Sequence, residues 1–98
     1  MENYLEEAKK HEKEFRCILD TFDFFPNKDL SLEEVYKIYS EGIRMGRWTI
    51  ISFSKREDGL FSFSFKNTAP LSGLGRKDLW KVENGVAKQF QNESYWRS

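Results

Sequence analysis

A covalent brace is missing: Cys17 is the single cysteine among 98 residues, so no internal disulfide can form and the fold must rest on its core. Metal and proton chemistry are thinly provisioned too. His11 is the one histidine, and a structural or catalytic metal site needs several ligands. No apolar run approaches the roughly 18 residues that span a bilayer. The opening residues Met1-Glu2-Asn3-Tyr4-Leu5 lack the basic and apolar regions of a signal peptide, so the expected location is the cytoplasm and no membrane partner is expected. Net charge is absent as well, with 16 basic and 16 acidic residues, which is unlike a dedicated nucleic-acid binder.

Aromatic residues are plentiful. Nine Phe, four Tyr and three Trp, with 39% hydrophobic residues overall, suit a folded globule better than a disordered tail. The length fits one domain. Charge is neutral in sum but divided along the chain: residues 1–43 hold 11 acids and 6 bases, and residues 44–98 hold 5 acids and 10 bases. Such asymmetry marks either an interaction surface or two halves that attract each other.

Hydrophobic spacing divides the chain at about residue 46. Tyr4, Ala8, His11, Phe15, Ile18 and Phe22 recur at helical intervals and predict a helix from residue 3 to about 20. Pro26 prevents its continuation. Ser31-Leu32-Glu33-Glu34 is a capping box, with Leu30 and Val35 placed as the hydrophobic staple. It predicts a helix over 32–44 with Leu32, Val35, Tyr36, Tyr39 and Ile43 on one face, stopped by Gly46. The period then becomes 2. Residues 48–54 and 60–65 alternate aromatic or β-branched residues with serine and predict two strands. A three-residue loop, Glu57 to Gly59, places Phe63 opposite Phe53 and Phe65 opposite Ile51, with the serines facing one another; a two-residue loop would mix the faces. In that register Trp48 and Ile50 point away from the phenylalanines. Residues 67–78 read as a long loop, and Asn84-Gly85 turns a second hairpin of 79–83 and 86–90. Tyr95 and Trp96 suggest a short last strand.

The expected fold is therefore α+β: a single domain of two N-terminal amphipathic helices on one face of an antiparallel meander of about four strands.

Chemistry is harder to place. His11 sits in the apolar stripe and reads as a packing residue; Cys17 has no second thiol or nearby histidine to activate it. The carboxylates of the first helix interleave with Lys9, Lys10 and Lys13, as on a solvated face. No nucleophile–base pair is visible, so neither an enzyme nor a cofactor is expected. The leading expectation is a protein-interaction module, a regulator, inhibitor or adaptor, in which Trp48, Ile50, Trp80 and Trp96 form an apolar anchor patch and Arg47 orients the partner. Self-association through the first helix or a strand edge is a variant of this reading. The alternative is nucleic-acid or polyanion binding by the basic C-terminal half, where Gly73 and Gly75 free the backbone to approach an anion beside Arg76 and Lys77.

Overall fold

The computed structural model describes residues 4–23, 25–40, 48–67 and 74–97. Its elements run α1 (Tyr4–Lys10), α2 (Glu12–Asp20), α3 (Leu32–Ser40), β1 (Trp48–Lys55), β2 (Phe61–Asn67), β3 (Leu74–Glu83) and β4 (Val86–Arg97). The strands form one antiparallel sheet in the order β1-β2-β3-β4, so the α+β meander expected from the spacing is the fold observed.

The first predicted helix is two. His11 leaves helical geometry at φ −127°, ψ 52°, between α1 and α2. The apolar stripe survives the break: Tyr4, Ala8, Phe15, Ile18 and Leu19 are all buried. His11 packs its ring edge-on against Phe61, with centroids 5.5 Å apart, which is the packing role its place in the stripe suggested. After α2, Phe22 and Phe25 drop into the core. Arg16 holds this connector by donating from Nη1 and Nη2 to the carbonyls of Lys28 and Leu30, both at 3.0 Å, while its Nε meets Glu12.

The capping box forms as spaced. The Glu34 amide donates to Ser31 Oγ at 3.2 Å, and the Ser31 amide donates back to Glu34 Oε1 at 3.3 Å. Ser31→Ala is expected to cost about 0.5–2 kcal/mol, read as a fall in the urea midpoint with unchanged slope. An unchanged midpoint would mean that the cap adds nothing to α3. The predicted helix is described to Ser40; its last residues, 41–44, and Gly46 lie outside the described residues.

The first hairpin has the loop that patterning required. The Arg56 amide donates to the Leu60 carbonyl at 2.7 Å, closing Glu57–Gly59 as a three-residue loop, and Gly59 takes φ +88°. Phe53 pairs with Phe63, Ser54 with Ser62 and Ser52 with Ser64. Beyond Ser52 the register slips by one. Phe65 pairs with Ile50, and Ile51 is the extra residue of a bulge. This corrects the predicted faces. Ile50 is 2% exposed in the core, Trp48 packs edge-on against Phe65, and Ile51 faces outward at 38% exposure. The bulge lets β1 bury Phe53, Ile50 and part of Trp48 on one side, which a regular strand with adjacent isoleucines cannot do.

The second hairpin turns at Asn84 and Gly85, both with positive φ (52° and 76°). Its strands are longer than predicted. Gly75, Arg76 and Lys77, assigned above to a loop, belong to β3, where pairing to β2 and to β4 on either side outweighs their weak strand propensity. Residues 68–73 lie outside the described residues. Tyr95 and Trp96 are the continuation of β4, not a separate strand. All three helices lie on the phenylalanine side. Phe15 stands edge-on to Phe53 at 5.0 Å, and Phe22 reaches Phe63, Phe65 and Trp80 at 5.9, 5.2 and 5.6 Å.

Candidate binding face of the sheet

Alternation sorts the sheet into two faces. Phe61, Phe63 and Phe65 of β2, with Arg76, Asp78 and Trp80 of β3, lie on the helix side. The opposite, outer face carries Ser62, Ser64 and Lys66 of β2, Lys77, Leu79, Lys81 and Glu83 of β3, and Val86, Lys88 and Phe90 of β4. Ile51 and the serines of β1 complete it. Ser52 and Ser64 share a hydroxyl–hydroxyl hydrogen bond.

The sequence-derived anchors are scattered by this arrangement. Ile50 and Trp80 are core residues, 2% and 5% exposed, and Trp48 is half-buried against the core, so these three do not form an outer patch. Their side chains complete a single aromatic cluster, and that packing is what removes them from the surface. Trp96 stands in β4 opposite Gly75, and Arg47 and Gly73 lie outside the described residues. Gly75, Arg76 and Lys77 do not form an anion-binding loop: they are consecutive strand residues whose side chains alternate between faces, Arg76 inward over the Phe65 ring and Lys77 outward.

Two chemical features emerge instead. The first is internal. Asp78 is fully buried on the helix side of β3, and Arg76 Nη2 donates to its two oxygens at 3.3 and 3.2 Å. Burial pushes its carboxyl above the usual carboxylate range, although Arg76 and Gln89 pull the other way. A raised value in the folded state means that the fold prefers the protonated acid. Its stabilising share is thus complete below the ordinary aspartate range and is lost as pH rises through the raised value. Asp78→Asn, which keeps the shape and an acceptor, is expected to raise thermal stability at neutral pH. That advantage should shrink as the solution is acidified; an advantage that grew on acidification would reverse the sign. Among the described residues, no three His, Cys, Asp or Glu side chains gather as metal ligands.

The second feature is on the outer face. Phe90 is 64% exposed and Val86 54%, the two most exposed large apolar side chains among the described residues. Phe90 sits where the β3–β4 register shifts: Trp80 pairs with Gln89 and Leu79 with Gln91, leaving Phe90 as the bulged residue. Beside it Lys81 and Lys88 are directly opposite one another, and with Glu83, Asn84 and Val86 they line a shallow depression of about 220 Å³. Lys81 approaches Glu83 at 3.7 Å. Among the described residues, no carboxylate comes within ion-pair distance of Lys66, Lys77 or Lys88. The sequence carried a signal for this site. Counting outward from Asn84-Gly85 by twos places Val86, Lys88 and Phe90 on one face. That count escapes notice because tryptophan, not phenylalanine, is the conspicuous aromatic of this half.

No family model matches the chain, and no curated protein sequence or solved structure matches it either. Among the described residues, no helix is long and apolar enough to cross a membrane.

Proposed function

We propose that the chain is a non-catalytic binding module that engages a macromolecular partner through the outer face of its sheet. The observation that carries this reading is Phe90, exposed at 64% on a β-bulge of the face opposite the helices. Bulges beside functional sites re-aim a side chain, and an exposed aromatic on a face that also carries lysines is the composition of a binding anchor. The ring contacts between helices and sheet fall on the phenylalanine face, and β4 continues the sheet to Arg97.

A protein partner and a polyanion both fit an aromatic among lysines. The structure shifts the balance toward the polyanion, because burial of Ile50 and Trp80 removes anchors from a protein-docking patch while Lys66, Lys77, Lys81 and Lys88 remain on the face.

The test is affinity capture from lysate of the source cells by wild type, by Phe90→Asp combined with Lys88→Glu, and by Glu6→Lys on the helix layer. Partners held by wild type and Glu6→Lys but released by the outer-face variant support the reading. Partners released by Glu6→Lys and retained by the outer-face variant refute it.

A further inference from the structure

We propose that the β3–β4 half of the outer face binds single-stranded nucleic acid, with a base stacked on Phe90 and phosphates held by Lys77, Lys81 and Lys88. The inference rests on the reading of the outer face as the working surface.

Lys81 and Lys88 are a directly opposed cross-strand pair of like charge, an arrangement that disfavours the bare sheet. An anion between them converts the repulsion into two attractions. Lys77 lies four residues before Lys81 on the same face of β3, about 13 Å along the strand. Leu79 stands midway, itself buried at 6% exposure and paired with Gln91, and the bulged Phe90 is the residue before Gln91 on β4. The order along the face is thus cation, aromatic ring, cation pair. That is the pattern by which open sheets hold unpaired strands: rings take the bases and lysines take the backbone. Glu83, 3.7 Å from Lys81, moderates the field, so the binding is modest and strongly dependent on salt.

Among the described residues, the exposed apolar side chains are scattered and do not gather into a patch. Among the described residues, the exposed large hydrophobics are Ile51, Val86 and Phe90. Ile51 lies on β1, at the far edge of the sheet from β4. Val86 and Phe90 are separated by Lys88 on their own strand, whereas a stable protein contact buries roughly 800 Å² per partner around an apolar centre. A single ring suffices for a stacked base.

The experiment is fluorescence anisotropy of a labelled oligothymidylate at low salt, repeated as salt is raised, with a random-sequence duplex as competitor. Binding that weakens with salt and resists the duplex is expected. Phe90→Ala should weaken it by roughly 5- to 150-fold, the span measured for a lost base–aromatic stack. Lys81→Glu with Lys88→Glu should abolish it and Lys37→Glu on α3 should not change it, all variants retaining the wild-type thermal transition. Absence of binding at low salt overturns the inference, as does binding that Phe90→Ala leaves intact or that duplex competes away equally. If the oligonucleotide fails while an acidic protein captured from lysate depends on Phe90 and Lys88, this inference falls and the outer-face reading stands.

Discussion

Phe63→Ala is expected to lower the unfolding free energy by about 3–5 kcal/mol. Phe63 is fully buried at the centre of β2, opposite Phe53 in register, and its ring meets Phe15, Phe22 and Phe65 at 6.2, 5.9 and 5.7 Å. Those neighbours come from α2, the connector and the sheet itself, so one truncation opens a cavity that touches every layer. They are also rings, stiff and mutually wedged, which leaves little freedom to collapse into the space. Domains of this size hold about 5–15 kcal/mol in all, so the variant should sit near the edge of folding. Each kcal/mol corresponds to a fall of about 4–8 °C in Tm. A urea titration followed by tryptophan fluorescence measures it. A loss below about 1 kcal/mol would show that the aromatic cluster repacks around the gap.

The second large effect separates two neighbours. Ile50→Lys is expected to unfold the domain or cost several kcal/mol, because it forces an ammonium group among Phe65, Trp48 and the helix layer. Ile51→Lys should fall within about 0.5 kcal/mol of wild type, since Ile51 faces outward at 38% exposure. The pair is a direct test of the bulge. A regular β1 would give the opposite ranking, with Ile51 inside and Ile50 outside. Circular dichroism on heating decides between them, and equal effects would contradict a fixed register at this edge.

Much of the architecture was readable from local chemistry. Ser31 and Glu34 announced the start of α3, Gly59 announced an odd-length hairpin loop, and Asn84-Gly85 announced the second turn; in each case a few adjacent residues suffice to define the geometry. What escaped prediction depended on contacts from afar. Two adjacent isoleucines satisfy a period of 2 in either phase, and only the register against Phe65 chooses Ile50 for the core. Arg76, Lys77 and Asp78 look like a loop because their strand is sustained by ladders on both flanks. Phe25 follows no helical or strand period, yet it is fully buried, with Tyr39 edge-on at 4.9 Å. The candidate site suffered most. Tryptophan drew the expectation toward Trp48 and Trp80, which serve the core, while Phe90 was legible only as one residue of an ordinary alternation.

The meander carries a consequence for how the chain reaches this state. Every strand lies beside its sequence neighbour, and two of the three connections are tight loops, Glu57–Gly59 and Asn84-Gly85. No strand has to be threaded between two already in place, so the sheet can assemble by successive zippering from its turns, each closure carrying a small entropic cost. The helices come from the opposite end of the chain and meet the sheet through Phe15 and Phe22. Their docking is the long-range step, and it divides the molecule kinetically: substitutions in the hairpin turns should register in the rate of folding, and those in the Phe15–Phe22 contacts in the rate of unfolding.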